Sequence, residues 1–417
     1  MHYDVAIIGA GAVGLCCAHE LSTAGHRVAV IDRGEPGSGA SDGNAGLIVP
    51  SHFIPLAAPG VIGQGLRWML DPGSPFYIKP RLDRDLARWL WHFARSCTAE
   101  HVARSMPLLR DLHLGGREAY GDLSTQLNGT FHHQRQGLLM LFRSAHGQAE
   151  CQELVDRSPE VDLSARMVTP DELAALDPAL AGADCAGGAY FPLDAHLDPA
   201  ALIAALVRRL KSTGVPLLTH RAVTAIRSSG NRPVRIDTTE GTLDADQVIL
   251  AGGAWSPALV RSLGLRLPIQ GARGYSVTID PGARQLGIPL ILAEAKVAVT
   301  PMGERLRFAG TLELAGLKAP LNPRRVRAIC TAVPNYLPSF TAEELLSPPV
   351  WEGFRPCSPD GLPYLGRLTA HPRVITATGH AMIGISLAPI TGRLVADIIA
   401  ERPPRIDIAL LRPERFR

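Results

Sequence analysis

Apolar positions along this chain change their period at well-marked breaks. Val5–Ile8 is a short unbroken apolar run, as expected of a strand buried on both faces. A glycine-rich turn follows, then Leu15–Ala24 keeps helical spacing up to Gly25, and Val28–Ile31 is a second buried run ending on Asp32. Helical periodicity dominates much of 83–194, with strands predicted around "GLLMLF" and "GGAYFP". Asp198, followed by Pro199, predicts a sharp helix start; Leu202, Leu206 and Leu210 fall on one face, and Gly214 lies past the end. Strands and polar turns then alternate up to the buried run Val248–Ala251, which meets Gly252 and Gly253. Residues 270–320 alternate as antiparallel strand in "GYSVTI", "KVAVTP" and "RLRFAGTLEL".

The pattern predicts an α/β plus α+β chain. A Rossmann-like nucleotide-binding domain, discontinuous in sequence, is expected over 1–82, 195–266 and 352–417. A second, substrate-binding domain over 83–194 and 267–351 is expected to carry a mostly antiparallel sheet with helices. At 417 residues and 46% hydrophobic, the chain can bury two cores. Its net charge of +3 comes from interspersed signs without a basic block, which argues against nucleic acid as a partner.

Gly9, Gly11 and Gly14 complete G-x-G-x-x-G between the first strand and the first helix. Gly9 suits the tight turn, Gly11 a backbone approach to a pyrophosphate, and Gly14 close helix packing; the helix N-terminus faces the phosphates. Asp32, at the end of the second strand, is placed to accept hydrogen bonds from a ribose. It would repel a 2′-phosphate, although Arg33 stands beside it, so the nucleotide is FAD or NAD. After Asp32 the strand and helix alternation stops, and a small-residue loop, "GEPGSGASDGNAGLIVPS", follows instead. That loop reads either as a connector or as backbone that reaches a cofactor.

Arg355 lies between Phe354 and Pro356 in the apolar stretch "WEGFRPCSPDGLPY", where a guanidinium needs an anion. The nearby Asp360 precedes Gly361 and reads as a turn residue, so the partner must come from elsewhere.

Seven cysteines, at 16, 17, 97, 151, 185, 330 and 357, include no C-x-x-C pair, which suits a reducing cytoplasm. No basic region precedes the first apolar run, which therefore reads as a strand and not a signal peptide. Residues 47–66 carry no formal charge, but Pro50, Pro55 and Pro59 break any spanning helix, leaving a loop or lid. With Trp68, Trp89 and Trp91 nearby, the 47–70 stretch suits either packing beneath the second domain or contact with the inner face of a membrane. The histidines show no metal-ligand spacing, His132 and His133 being adjacent, and no metal site is expected.

Five further segments, "SDGNAGLIVP", "GGAYFPLDAHLDP", "LAGGAWSP", "GFRPCSPDGLPYLG" and "TGHAMIGISLAPITGRLVADII", occur in an order that resembles the FAD-dependent amine and amino-acid oxidoreductases of the D-amino acid oxidase type. "NAGLIVP", "LAAPGV", "RWML" and "KVAVTPMGERLRFAGTLEL" are most similar to bacterial D-amino acid dehydrogenases, including those acting on D-hydroxyproline. The resemblance implies FAD held by Gly9, Gly11, Gly14, Asp32 and Arg33, by Ser41, Asn44, Ala45, Gly46 and Leu47, by Val223 at the adenine, and by Gly252. It places Arg355 on the substrate carboxylate, whose planar geometry its fork matches. Backbone N–H groups of Gly384, Ile385, Ser386 and Leu387, ahead of a helix expected near Pro389, would stabilise charge on the cofactor ring. His380 is a candidate for acid–base work or for positioning alone, since hydride transfer needs no strong base if the amine arrives unprotonated. Cys357 does not match the position used for covalent flavin in relatives, so noncovalent FAD is expected.

Substrate contacts are expected from Arg355, Ala298 and Met382. Ala298 and Met382 replace a tyrosine and a basic residue of glycine oxidases, and Ile385–Ser386 replaces the Trp–Thr of broad D-amino acid dehydrogenases. A smaller or cyclic D-amino acid, D-proline or hydroxy-D-proline, follows as the expected substrate. A quinone or carrier is the expected electron acceptor. The alternatives are an oxygen-using oxidase of glycine or a secondary amine, and a non-catalytic FAD-bearing subunit.

Overall fold

Two sheets organise the chain in a computed structural model that describes residues 2–69, 74–230 and 232–416. In the first, His2–Ile8 runs parallel between Val28–Ile31 and Gly241–Leu250. Gly241–Leu250 is long enough to serve two roles. Its first half pairs antiparallel with Val234–Thr238, and its last three residues pair parallel with His371–Thr378, which brings the C-terminal segment beside the N-terminal strand. Helix Ala12–Thr23 packs on helix Gly384–Ile399, where Gly392 lets the two backbones meet: a methyl group there would sit 2.8 Å from the Cys16 carbonyl oxygen. Helix Pro199–Ser212 covers the same face, capped as predicted by Asp198, which accepts from Ala200 N at 2.9 Å and Ala201 N at 3.3 Å.

The second sheet is mixed but mostly antiparallel, as the alternation over 270–320 predicts. Gln270–Ile279 lies between Trp351–Cys357 and Arg305–Leu314, and Val297–Met302 follows. Parallel pairing occurs where Leu138–Phe142 meets Leu290–Leu292 and where Phe76–Ile78 meets Arg305–Leu314. Helices Pro323–Ala332 and Ala342–Leu346 pack against its apolar core. By pairing, residues 76–78 and 352–357 belong to this sheet and not to the nucleotide-binding part in which the sequence segmentation places them.

Helix Ala99–Gln126 departs from that segmentation too, since it packs on Gly384–Ile399 of the first unit. At the crossing, Gly116 admits the start of the partner helix, and a methyl group there would overlap the Ser386 carbonyl oxygen. The 47–70 stretch splits in two. Ile48, Val49 and Phe53 are buried, whereas Val61–Met69 is a helix with Ile62 and Leu66 exposed; Leu70 lies outside the described residues. Its glycines, Gly63 and Gly65, hide this helix from sequence reading. Trp89 is buried and Trp91 exposed. No helix among the described residues is long and apolar enough to cross a membrane.

Replacing Gly116 with Ala should force the two helices apart at this backbone contact. Overpacking of this kind costs about 1–3 kcal/mol, so urea unfolding should show a lower midpoint with an unchanged slope; an unchanged midpoint would mean the helices slide freely.

Candidate functional site

The first strand, its turn and the first helix build one end of a cavity of about 390 Å³. Gly9 has φ +118°, and Gly14 packs directly on the Gly9 carbonyl. Asp32 fixes the turn from the neighbouring strand: its Oδ2 accepts from Ala10 N at 2.7 Å and its Oδ1 from Gly34 N at 2.9 Å. The small-residue loop folds back on the helix N-terminus, where Ser41 Oγ accepts from Ala12 N at 3.1 Å. Arg307 of the second sheet clamps that loop, donating to the Asp42 and Asn44 carbonyls at 2.8 and 2.7 Å. The segment after Asp32 is therefore a held cradle and not a free connector.

Of the residues singled out in the sequence, Gly9, Gly11, Asp32, Arg33, Ser41, Asn44, Val223, Gly252, Gly384 and Ile385 line this cavity, together with Arg355 and His380. Arg33 lies flat on the Trp255 ring, 3.8 Å from its centre, a contact that sequence spacing does not reveal. Ala45 and Leu47 line the adjoining cavity instead. Gly14, Gly46, Ser386 and Leu387 line neither. Ser386 Oγ is taken up by Val49 N at 3.1 Å and His113 Nδ1 at 2.7 Å, and Leu387 is core with its N–H bonded to the Ile383 carbonyl at 3.0 Å, so neither side chain reaches a ligand.

The C-terminal helix starts at Gly384, five residues before the expected position, and Pro389 lies inside it. Proline lacks the N–H that would bond the carbonyl four residues back, that of Ile385, and Tyr120 supplies the missing donor at 2.6 Å. The helix thus presents the unpaired first-turn N–H groups of Gly384 and Ile385 to the cavity. His380 Nε2 is bonded to Thr391 Oγ1 at 3.0 Å, and burial lowers its pKa to about 4, so the ring stands neutral.

Arg355 lies where the first cavity meets a second of about 410 Å³, and it lines both. Its guanidinium donates to the main-chain carbonyls of Thr311 and, at 3.4 Å, Gly310. The geometry that aims these carbonyls is a bulge: between Tyr275 and Arg273 the opposite strand advances from Gly310 to Glu313, and Thr311 takes φ +66°, rare for a β-branched residue. Gly274 leaves room for the guanidinium, since a methyl group there would collide with it. Asp360 is unavailable, because Arg415 holds both its oxygens at 2.6 and 2.9 Å while Leu362 N completes the predicted turn. Among the described residues no carboxylate pairs with Arg355; burial lowers its pKa, with a small opposing influence from Cys357. A fixed cation with only neutral partners is a receptor for an anion.

Ala298 and Met382 line the second cavity, with His52, Gln64 and Lys296 as polar groups the sequence reading passed over. Neither Ile385 nor Ser386 reaches it; Ile385 lines the first cavity, and Ser386 lines neither. Cys357 lines neither cavity; it is buried, and burial pushes its thiol up to about 12.

The model of the FAD dependent oxidoreductase family matches residues 4–398. The chain belongs to that family. D-amino acid dehydrogenase of Cereibacter sphaeroides is 34% identical over 418 residues, covering 99% of this chain and 95% of the relative. D-amino acid dehydrogenase of Methylobacterium radiotolerans is 33% identical, covering 97% and 98%. Among solved structures, glycine oxidase from Geobacillus kaustophilus aligns with a TM-score of 0.80 at 25% identity, covering 100% and 99%. FAD fits the first cavity of this FAD dependent oxidoreductase, whose lining brings together the Gly9–Gly11 turn, the start of the first helix and Asp32.

Asp32→Ala would release the Ala10 and Gly34 amides and remove the acceptor at the ribose end. Apoprotein titrated with FAD, followed by quenching of flavin fluorescence, should bind about 10- to 100-fold more weakly, the effect of losing a charged hydrogen-bond acceptor worth 1.5–3 kcal/mol.

Proposed function

We propose that this protein is an FAD-dependent D-amino acid dehydrogenase that takes small or cyclic D-amino acids, D-proline and hydroxy-D-proline among them. The observation that carries this reading is Arg355, a half-buried cation with no anionic partner among the described residues, at the junction of the two cavities. A substrate carboxylate held there by two parallel bonds leaves the carbon next to it facing the cofactor end. Bound FAD would accept the hydride from that carbon. The chain's own contribution is placement and charge: Arg355 orients the substrate, the N–H groups of Gly384 and Ile385 meet negative charge, and His380, tied to Thr391, holds the adjoining backbone as a positioning residue. The proposed FAD contacts are the cavity-lining residues together with the backbones of Gly14, Ala45, Gly46, Leu47, Ser386 and Leu387. The cofactor is proposed to be noncovalent, because Cys357 does not face its cavity.

A quinone or similar apolar carrier is the proposed electron acceptor. An apolar groove of about 820 Å³ adjoins the substrate cavity and shares Leu56, Val61, Trp68 and Phe76 with it. Ile62, Leu66 and Leu82 are exposed along this face, in keeping with contact against a membrane carrying such an acceptor. The likeness to glycine oxidase favours the second reading, an oxygen-using oxidase, and peroxide formation in air separates the two.

Anaerobic bleaching of the flavin by D-proline, cis-4-hydroxy-D-proline, D-alanine, glycine and sarcosine should rank the D-amino acids first; a response to glycine alone would overturn the assignment. Arg355→Ala should retain the flavin spectrum and lose kcat/KM by about 30- to 4,000-fold, the 2–5 kcal/mol cost of removing one partner from a buried charge pair. Full turnover in this variant would mean another group anchors the substrate. Leu66→Glu should leave bleaching intact and slow reduction of a membrane-embedded quinone; equal rates with wild type would remove this face from the acceptor site.

A further inference from the structure

The proposed reaction needs an amine lone pair, yet an amino acid enters near neutral pH as an ammonium. We propose that His52, at the wall of the substrate cavity, takes that proton and passes it through the buried Ser51 to the buried Asp194. The inference rests on the proposed amino-acid reaction.

The geometry is a continuous chain. Ser51 Oγ donates to Asp194 Oδ2 at 2.5 Å and lies 3.1 Å from His52 Nδ1. Since the serine proton is committed to the carboxylate, its oxygen accepts from His52, which places the imidazole proton on Nδ1. The other nitrogen, Nε2, keeps its lone pair, has no hydrogen-bond partner among the described residues, and belongs to a ring that lines the same cavity as Arg355. Asp194 also accepts from Ser51 N at 3.0 Å and pairs with no cation at ion-pair distance among the described residues. It is 1% exposed, a buried carboxylate with no role in cofactor or carboxylate binding. The strand pair Leu47↔His196 and Ile48↔Ala195 brings the two ends of this chain together across 143 positions of sequence.

The proton balance closes. The substrate N–H bond breaks and its proton joins Nε2; the Nδ1 proton moves to Ser51 Oγ, and the serine's own proton moves to Asp194 Oδ2. Nitrogen keeps the electron pair, which forms the C=N bond as hydride leaves carbon for the cofactor. The proton returns along the same groups once the product has gone. Other charged and titratable neighbours are His113 and the Glu150-paired Lys296 at His52, and Arg117 near Asp194. Burial, with Lys296, lowers the His52 pKa to about 4, so the ring enters the reaction neutral; burial raises Asp194 to about 7, against the Ser51 hydrogen bonds and Arg117. The terminal acceptor is therefore deprotonated, and the relay open, as pH rises through about 7.

Stopped-flow bleaching of the holoenzyme at saturating D-proline, from pH 6 to 10, tests this. Wild type should rise through pH 7 and level off. His52→Gln should be about 100- to 10,000-fold slower at pH 7, the range for losing a general base. Its deficit should shrink about tenfold per pH unit as the substrate arrives as free amine. Asp194→Asn should abolish the break near pH 7. A His52→Gln deficit that is constant with pH, or absent, would overturn the relay while leaving the reaction itself intact; no bleaching of wild type by any D-amino acid would sink the reaction assignment and the relay with it. Nitrogen-15 NMR of the histidine rings, independent of turnover, should show His52 with its proton on Nδ1; a proton on Nε2 refutes the chain.

Discussion

The site depends on a positive charge that the protein half-buries and that no carboxylate among the described residues neutralises. Arg355 is held by two main-chain carbonyls, dipoles strong enough to fix its fork but too weak to cancel its charge. Holding it costs conformational strain at Thr311 and requires a glycine at 274 to make space. Such an arrangement persists only where surrounding structure over-determines it, and here three adjacent strands, Trp351–Cys357, Gln270–Ile279 and Arg305–Leu314, do so. The carboxylate nearest in sequence, Asp360, is locked by Arg415.

From this constraint follows the union of the two sheets. A cofactor seated on the first sheet and a substrate anchored from the second must meet at one edge, and Arg355 lines both cavities because its strand ends there. Arg307 makes the same connection from the opposite direction, reaching from the second sheet to hold the cradle loop of the first by its carbonyls. Both arginines act on backbone oxygen, while the side chains of the cradle add their own bonds, Ser41 Oγ accepting from Ala12 N and Asn44 Oδ1 from Gly46 N.

The nucleotide-binding end was legible because its physics is local: Gly9, Gly11, Gly14 and Asp32 fall within one βαβ unit, and their spacing encodes the turn they form. Arg355 was legible for a different reason, as a charge in an apolar sequence. Other features were hidden. The early start of the last helix was masked by Pro389, whose lost hydrogen bond is made good by Tyr120 donating to Ile385, 265 positions away from it. Helix Ala99–Gln126 looks like part of the second unit from its place in the chain, yet Gly116 fits it to the first, and glycine in a helical pattern ordinarily signals weakness. His52 and Asp194 were invisible for the same reason as Tyr120, since their partnership exists only once distant strands pair.

The histidines show how far burial alone determines chemistry here. His380, His113 and His52 are all driven toward the neutral form by desolvation, the first to about 4, the second to about 3 and the third to about 4. What separates them is where the ring's nitrogens go. His380 spends Nε2 on Thr391, and His113 bonds Ser386 while its Nε2 is sealed away from solvent without a partner. Only His52 combines a bonded Nδ1 with a ring on the substrate cavity, so among these three it alone has a lone pair placed to meet an incoming ammonium. A neutral imidazole backed by a serine and a carboxylate also suits a cavity that already contains Arg355 and Lys296, because a third permanent cation would repel the ammonium group of an entering amino acid.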